Sequence, residues 1–364
     1  GRPTCLSQAG SAGSVPEGKE VSGATEERQS SLRCRDLTCR EGMAPKVAIR
    51  DGIAIKAETG IVEDGKKYDY EVVEPGAQFD LHLEVSFGND TTRDFSRRML
   101  ATIREILEQE VVRIGAKTNS GLGKIRLADA KMSEFDFGKK QDVLRWLRRD
   151  YPPTIVNPDY PAFTIQKKNF TIDATFGLKN SLIIRSYPSD PKMPDAVHIR
   201  SGGNPVLPGA SLKGAIRSRA ERIIKTLFGT GSDKEDKAKG VLDELFGCVD
   251  EEYRLKEATK EKDRPKAVRK GKVRIDEVTL PEFTSELQSR IKIDRFTGGT
   301  IESALFDAMP LFSDGDVNKQ IKNVRITIRD YKDYEAGLML LVLKDLWTGD
   351  LAIGGEKGVG RGVL

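Results

Sequence analysis

The stretch Pro205-Val-Leu-Pro-Gly-Ala-Ser-Leu-Lys-Gly-Ala-Ile-Arg217 joins a loop of small residues to an amphipathic helix. Apolar residues continue at helical spacing through Leu212, Ile216, Ala220, Ile223 and Leu227. The opposite face is basic and includes Lys213 and Arg217. A helix N-terminus beside the Ser211 hydroxyl and Lys213 suits a phosphate group. The alternative is an ordinary capped helix with a solvated basic face.

Strand and helix patterns surround this stretch. Alternating apolar residues predict strands at 47–55, 79–85 and 169–176, and a polar loop is expected over 187–204. Apolar residues at helical spacing predict a helix over 99–112. The predicted fold class is therefore α+β.

Two similar units follow one another in the chain. Residues 53–60 (IAIKAETG) resemble residues 291–298 (IKIDRFTG), and each copy is followed by an apolar helix and a glycine loop. The first glycine loop is 115–123 and the second is 354–361. We pair Gly121-Leu-Gly123 with Gly358-Val-Gly360, because the intervals from Thr59 to Gly121 and from Thr297 to Gly358 are 62 and 61 residues. The first copy lacks a counterpart of what precedes Ile291, so the chain is expected to start inside its first domain.

Composition excludes some classes of protein. The chain has 364 residues, which favours two domains, and no stretch approaches the roughly 18 uncharged apolar residues of a membrane span. The 60 Lys and Arg nearly balance 56 Asp and Glu, so the formal charge of +4 does not by itself demand a polyanionic partner. Four cysteines without a signal peptide predict a reducing, cytoplasmic location rather than a disulfide-rich secreted domain.

Residues 1–46 are expected to form a linker or loop, because they are rich in Gly, Ser, Glu and Arg. Cys5, Cys34 and Cys39 are candidate zinc ligands there, although the spacing is loose and a fourth ligand is missing. The alternative is a set of solvated thiols. Because the chain begins at Gly1 and its first methionine is Met43, we expect a processed, engineered or cut N-terminus. A basic cluster over 254–274 is expected to form a loop.

Three ordered motifs carry a family resemblance: LPGASLKGAIR at 207–217, IDRFTGG at 293–299, and the second glycine loop GGEKGVGR. Together they resemble the RAMP superfamily, and more narrowly the backbone subunits of type III CRISPR effectors, including fused forms. The resemblance is strong over 165–364 and weaker over 47–130. It implies tandem ferredoxin-like, RRM-type domains with thumb hairpins, the first domain incomplete: 47–130 is the C-terminal half of the first, 131–164 a linker, and 165–364 the complete second domain.

The resemblance also implies partners and binding residues. The partners are a CRISPR guide RNA, a complementary target RNA and other effector subunits, with no membrane. The thumb hairpin of such proteins wedges into the guide and target duplex, which makes Phe296, Thr297 and Thr59 candidates, whereas Phe296 would otherwise be a core aromatic. The resemblance implies that the guide RNA is bound by these residues: Ser211, Lys213, Arg217, Gly355, Lys357, Gly358, Arg361, Lys117 and Lys124.

Cleavage is likewise implied by resemblance. Members that cut target RNA use an aspartate upstream of the PGxSLKG motif, which here points to Asp195, with Asp190 as second choice. A carboxylate there would hold hydrated Mg²⁺ or position the 2′-hydroxyl for in-line attack. From the residues alone, such an aspartate is by default a turn former. The alternatives are a backbone that binds RNA without cutting it, and a RAMP nuclease that trims precursor guide RNA through a histidine such as His198.

Overall fold

A computed structural model of the chain describes residues 30–40, 42–56, 59–152, 160–188, 190–229, 231–249 and 268–364. Cys5 and residues 254–267 of the predicted basic loop lie outside the described residues. Within the described part, no helix is long and apolar enough to cross a membrane.

The helices lie on both sides of the predicted domain boundary. They are α1 (Asp90–Glu108), α2 (Lys140–Leu147), α3 (Gly209–Phe228), α4 (Ser232–Phe246) and α5 (Asp333–Thr348), with short 3-10 turns at Thr118–Ser120 and Lys357–Val359. Helix α3 ends at Gly229, whose φ of 77° is unfavourable for a residue with a side chain. These helices confirm the predicted α+β class together with the strands.

The strands are mostly short and antiparallel. Those of the N-terminal part are β1 (Leu32–Cys34), β2 (Thr38–Cys39), β3 (Val47–Ile55), β4 (Val62–Val73), β5 (Phe79–Asp80) and β6 (Leu83–Val85). Those of the C-terminal part are β7 (Asn169–Gly177), β8 (Ser181–Leu182), β9 (Arg185–Ser186), β10 (Ala196–His198), β11 (Arg200–Ser201), β12 (Asn204–Leu207), β13 (Gly247–Val249), β14 (Val268–Lys270), β15 (Val273–Ile275), β16 (Val278–Thr279), β17 (Thr284–Ser285), β18 (Gln288–Arg290), β19 (Phe306–Met309), β20 (Leu311–Phe312) and β21 (Gln320–Arg329).

The main hydrophobic core lies in the C-terminal part. One antiparallel sheet has the order β15-β21-β7, and its buried residues, such as Ile275, Ile326 and Ile328, pack with α3 and α5. Helix α3 contributes Leu212 and Ile216 to this core because apolar residues four apart lie on one helix face. Along the chain the order is β7, α3, β15, β21, α5. This is the strand order of part of a ferredoxin-like sheet, and the ferredoxin-like detail stays a prediction.

The structure corrects four sequence predictions. Residues 79–85 form two strands rather than one, because β5 pairs with β2 and β6 pairs with β1. Residues 32–34 and 38–39, expected as part of a linker or loop, therefore form strands. The predicted linker 131–164 contains α2, and the predicted polar loop 187–204 contains β10 and β11.

The N-terminal and C-terminal parts are joined by buried ion pairs. Arg50 on β3 contacts Glu277 at 2.5 Å, and Arg113 contacts Asp276 at 3.1 Å. Glu74 is buried and accepts a hydrogen bond from the Ser201 hydroxyl at 3.0 Å. Burying such charges is favourable only when they are paired, so these contacts fix one arrangement of the two parts.

The two segments predicted to be thumbs have the same backbone hydrogen bonds. In the first, the amide of Gly60 donates to the carbonyl of Lys56 at 2.9 Å, and in the second the amide of Gly298 donates to the carbonyl of Asp294 at 3.0 Å. Both glycines have φ near 70°. The pairing of 53–60 with 291–298 is confirmed at these tips.

The two glycine loops also have one backbone conformation. Each is closed by a backbone hydrogen bond of 2.9 Å: the amide of Ile114 donates to the carbonyl of Gly123, and the amide of Ile353 donates to the carbonyl of Gly362. Positive φ angles recur at matching places: Gly115, Lys117, Gly121 and Gly123 in the first loop, and Gly354, Glu356, Gly360 and Gly362 in the second. The structure therefore pairs Gly121 with Gly360, and the pairing with Gly358 predicted from spacing was wrong by two residues.

Candidate nucleic-acid interface

The N-terminus of α3 is held rigidly from both sides. Pro208 caps the helix in an extended conformation, and its carbonyl accepts the amides of Ser211 and Leu212 at 3.1 and 3.2 Å. Gly209 follows in a space too small for a side chain, since an added Cβ would lie 2.6 Å from the carbonyl oxygen of Ser120. The first amides of a helix lack partners within it and favour an anion.

Four basic residues surround this helix end, and we name Lys213, Arg217, Lys270 and Arg329 the basic cradle. Burial, together with the positive charges of Arg217, Arg329 and Lys270, lowers the pKa of Lys213 to about 8. Within the described residues, the Lys213 ammonium has no hydrogen bond or ion pair. A half-buried ammonium among like charges is stabilised by an anion, so the cradle is electrostatically prepared for a phosphate group.

The first glycine loop closes one side of the basic cradle. Asn119 donates from Nδ2 to the carbonyl of Gly271 at 2.7 Å and accepts from Arg329 at 3.2 Å. The loop thus holds the Arg329 guanidinium in place. Arg217 is more open, with 46% of its side chain exposed and a hydrogen bond of 3.2 Å to the carbonyl of Gly247.

The two lysines carried over from the first unit have local partners. The Lys117 ammonium donates to the Tyr68 hydroxyl at 2.6 Å and lies 4.3 Å from the centre of the Tyr70 ring. Lys124 is exposed and forms an ion pair of 2.5 Å with Glu110. Lys117 therefore belongs to an aromatic patch on β4, and the charge of Lys124 is locally balanced.

The second glycine loop separates its predicted residues into two groups. Lys357 and Gly358 are exposed, whereas the amide of Gly355 donates to the carbonyl of Ile183 at 2.8 Å. Arg361 is only 4% exposed, and its guanidinium donates to Glu356 at 2.7 Å, Ser181 at 2.8 Å and Gln288. Buried internal acceptors use the donors of Arg361, so in this arrangement it holds the loop, and its contact with RNA stays a prediction.

Glu356 has a role that the sequence did not indicate. Its buried carboxylate accepts from three arginines, Arg361 at 2.7 Å, Arg185 at 2.9 Å and Arg290 at 2.6 Å. Hydrogen bonds from these guanidiniums lower its pKa despite the opposing effect of burial. Only one negative charge faces three positive ones, so Arg185 and Arg290, each more than a third exposed, leave a positive surface beside the loop.

The second thumb tip exposes its aromatic residue completely. Phe296 is 99% exposed and Thr297 is exposed, so the alternative of a core aromatic is wrong. The Asp294 carboxylate accepts the amides of both residues at 2.8 Å, and these bonds lower its pKa. Thr59 is exposed on the first tip. An exposed ring on a preorganised turn can stack on a base at little entropic cost.

Asp195 lies at the base of the second thumb. Its exposed carboxylate accepts the backbone amide of Asp307 at 2.8 Å, where β10 pairs in parallel with β19. The carboxylate oxygen Oδ1 of Asp307 is itself buried without a hydrogen bond among the described residues. Asp190, the second choice, accepts the amide of Lys192 at 3.0 Å in a local turn.

His198 is a structural residue in this arrangement. It is 3% exposed, its Nδ1 accepts the amide of Ile184 at 3.2 Å, and its Nε2 donates to the carbonyl of Val206 at 2.9 Å. Burial lowers its pKa to about 4. Because both ring nitrogens are used, His198 is not available as a general acid or base at neutral pH.

The described cysteines do not form a metal cluster. Cys34 and Cys39 are exposed, and the Cys39 thiol donates to the carbonyl of Met43 at 2.6 Å. No group of three or more His, Cys, Asp or Glu side chains within the described ranges could hold a metal ion. Since Cys5 is outside those ranges, zinc binding stays a prediction.

Three residues of the interface were missed or not singled out from the sequence. Arg329 ends a buried strand, and Asp307 follows the second thumb, so neither has a local pattern that marks it. Lys270 was only part of a basic run. All three reach the site through strand pairing between distant segments, which a single sequence does not reveal.

Comparisons with known proteins place the chain in a family. The model of the RAMP superfamily matches residues 14–126 and 175–364. No curated protein matches. A chain of the Type III-B Cmr-beta bound to cognate target RNA is 13% identical, with a TM-score of 0.35; the match covers 54% of this chain and 58% of that chain. A chain of the Type III-B Cmr-beta in the apo state is 12% identical, with a TM-score of 0.34; the match covers 53% of this chain and 95% of that chain. The chain thus spans less than two thirds of the first. Because the family model covers most of its length in two segments, this chain belongs to the RAMP superfamily.

Proposed function

We propose that this chain is a guide-RNA-binding backbone subunit of a type III CRISPR effector, and that it cleaves complementary target RNA at Asp195. The observation that carries the proposal is the basic cradle, where the half-buried Lys213 ammonium faces only like charges within the described residues. Such a site is stabilised by a phosphate of the guide backbone.

The two RNA strands would meet different parts of the surface. The guide backbone would contact the basic cradle and the exposed Lys357, while Phe296 would insert beside an unpaired base of the guide and target duplex. An inserted aromatic ring offsets part of the stacking energy that it disrupts. Asp195 lies at the base of the same thumb, directly before strand β10, which pairs with β19.

Cleavage would use the carboxylate of Asp195 next to the splayed nucleotide. The Asp307 amide fixes one carboxylate oxygen, which leaves the other to orient the 2′-hydroxyl toward the adjacent phosphorus. Attack by that hydroxyl would release a 5′-hydroxyl and leave a cyclic phosphate, so cutting would require RNA rather than DNA at this nucleotide.

The residues around Asp195 are compatible with Mg²⁺. Mg²⁺ keeps several waters and needs only one or two carboxylates together with substrate phosphates. The exposed carboxylate of Asp195 would hold it together with a phosphate of the target RNA. When bound, the ion would supply charge stabilisation for the developing phosphorane.

The decisive experiment compares Asp195→Ala with the matched control Asp190→Ala in the guide-loaded complex. With labelled target RNA and Mg²⁺, we expect Asp195→Ala to slow one cut by about 100-fold or more while guide and target binding are retained. Asp190→Ala should cut normally. A target with a 2′-deoxy nucleotide at that cut should resist the parent protein.

Unchanged cutting by Asp195→Ala with intact RNA binding would favour the alternative of a scaffold that does not cleave. The third hypothesis, trimming of precursor guide RNA through a histidine, is disfavoured by the geometry of His198, whose two nitrogens are both engaged in the core. His82 is partly exposed and bonded to Glu84 at 3.0 Å.

A further inference from the structure

A groove of about 610 Å³ lies between helix α1 and the sheet β15-β21-β7, and we name it the α1 groove. It lies on the face of the sheet opposite the hydrophobic core, because its lining residues alternate with the core residues Ile275, Ile326 and Ile328. No residue of the basic cradle, of the thumb tips or of the second glycine loop lines it, and neither does Asp195. Its volume is within the range of sites for small molecules.

The sheet wall of the α1 groove is polar. Arg274, Thr327 and Thr171 are direct neighbours across the three strands β15, β21 and β7. In the next row, Arg325 donates two hydrogen bonds to the Asp173 carboxylate, at 2.7 and 3.2 Å. The wall therefore places one arginine and two threonine hydroxyls beside an ion pair that is already closed.

Arg274 is the cation of this wall that lacks a close partner. Its Nε lies 3.8 Å from the carboxylate of Asp276, which instead accepts hydrogen bonds from Arg113 at 3.1 and 3.3 Å. Burial, together with the positive charges of Arg113, Arg329 and Arg325, lowers the pKa of Arg274 although Asp276 opposes the change. Among the described residues, its guanidinium forms no hydrogen bond, so an anion in the groove would stabilise it.

The opposite wall supplies apolar surface. Ile106 and Val111 are half-buried there, and Ile165 is 49% exposed. The segment that carries Ile165 is fixed to α1, because the amide of Phe163 donates to the Thr102 hydroxyl at 2.8 Å. A flat ring placed in the groove would cover the aliphatic side chains on this side and remove them from water.

The balance of charge in the α1 groove favours an anion. Three cations face two carboxylates in its lining: Arg274, Arg325 and Lys167 against Glu105 and Asp173. A bare phosphate would leave the apolar wall in water, and an uncharged apolar ligand would leave the Arg274 guanidinium without an acceptor. A ligand that satisfies both walls has an anionic end and a flat, partly apolar end.

We propose that the α1 groove binds a nucleoside 5′-phosphate, whose phosphate contacts Arg274 and the Thr171 hydroxyl while its base covers Ile106 and Val111. Arginine suits this role because its planar N–H donors match two oxygens of one phosphate. Such a ligand is either a free mononucleotide or the terminal nucleotide of an RNA with a 5′-phosphate. The site does not depend on the proposed function, since it lies apart from the residues assigned to the guide and to cleavage.

Isothermal titration calorimetry with the full chain tests the site directly. The probes are AMP and UMP, one purine and one pyrimidine nucleotide, with adenosine, uridine and inorganic phosphate for comparison. We expect at least one nucleotide to bind about 10-fold or more tightly than its nucleoside and than phosphate, because charge-assisted hydrogen bonds add to burial of the base. No binding of either nucleotide at concentrations up to about 1 mM overturns the proposal.

Arg274→Gln should weaken binding of that nucleotide by about 10-fold or more. The variant should keep the circular dichroism of the parent, because the lost guanidinium has no hydrogen bond among the described residues. The matched control is Arg222→Gln, which removes an exposed arginine of α3 outside the groove and should bind the nucleotide as the parent does. Equal weakening by the two variants would mean that the nucleotide responds only to overall charge, and this result also overturns the proposal.

A second pair of variants leaves the charge unchanged. Thr171 is exposed on β7, and Thr171→Trp would fill the groove with a side chain that strands accommodate readily. The control Thr175→Trp places the same ring on the same face of β7, outside the lining. Thr171→Trp should abolish nucleotide binding, and Thr175→Trp should not. If Arg274→Gln fails to fold, this pair decides, and parental binding by Thr171→Trp overturns the proposal.

Competition distinguishes the two sources of the ligand. One short RNA, prepared with a 5′-phosphate and with a 5′-hydroxyl, is added to the chain loaded with the nucleotide. Displacement by the phosphorylated RNA alone identifies an RNA end as the source, and no displacement by either RNA identifies a free nucleotide. Equal displacement by both RNAs would mean that the nucleotide occupies the RNA-binding surface, which overturns a separate site in the α1 groove.

Discussion

His198 predicts a pH-dependent loss of stability beside the candidate cleavage site. Its pKa is about 4 in the folded chain and about 6.5 when unperturbed, because burial disfavours the charged ring. Between these values the unfolded chain binds a proton that the folded chain does not. The stabilisation is therefore complete above pH 6.5 and is lost as the pH falls toward 4.

The expected magnitude follows from the two pKa values. Each pKa unit corresponds to about 1.4 kcal/mol, so the free energy of unfolding should fall by about 2 kcal/mol from pH 7.5 to pH 5 and by about 3 kcal/mol below pH 4. The substitution His198→Gln keeps a donor and an acceptor but does not titrate. It should lower stability at pH 7.5 and remove this part of the pH dependence.

The assay is urea unfolding followed by circular dichroism at several pH values between 7.5 and 4.5. The only other histidine, His82, supplies the control, since His82→Gln should leave the dependence of the parent nearly unchanged. If the parent and His198→Gln lose stability in parallel from pH 7.5 to pH 5, the buried neutral histidine is not the cause and the reasoning is refuted.

Three further results are expected. The pKa of Lys213 is about 8, and a bound phosphate would raise it. Guide-RNA affinity measured by fluorescence anisotropy should therefore fall about tenfold from pH 7 to pH 9. Lys213→Arg should flatten this pH dependence. Phe296→Ala should change the free energy of unfolding by no more than about 0.5 kcal/mol, since the ring is fully exposed. The same substitution should weaken binding of the guide and target duplex by about 1–3 kcal/mol. Unchanged duplex binding would contradict the thumb assignment. Gly360→Ala should lower the free energy of unfolding by about 1 kcal/mol because of the positive φ at this position. Gly121→Ala should lower it more, because the added Cβ would also overlap the backbone of Glu277. Equal shifts in melting temperature for the two variants would contradict the contact between the first glycine loop and the second unit.

Local patterns predicted several regular elements well. Strand β3 has the predicted limits, and α3 extends the helix predicted from Leu212 and its periodic partners. The pattern failed where pairing changes partners within a few residues. Residues 79–85 alternate like one strand, but β5 and β6 pair with different segments, so the chain bends between them.

The candidate site was predicted less completely, because position in space decides what a charged residue does. Arg361 and Lys357 are neighbours in one glycine loop, yet the first is buried among acceptors and the second is exposed. The motif identified Lys213, but the charge that surrounds it comes from Arg329 on a distant strand. Asp307 reaches Asp195 only through the parallel pairing of β10 with β19.

Charge pairing explains how a nearly neutral chain can still present an RNA-binding surface. Many cations are already compensated: Arg113 by Asp276, Arg325 by Asp173, and Lys272 by the fully buried Glu335. Such pairs gain little from a phosphate, because the carboxylate would have to be displaced or repelled. Lys213 has no such compensation among the described residues, and burial together with the neighbouring positive charges lowers its pKa. The net charge of +4 is therefore a poor guide, and binding should depend on the few uncompensated cations that an RNA backbone can reach together.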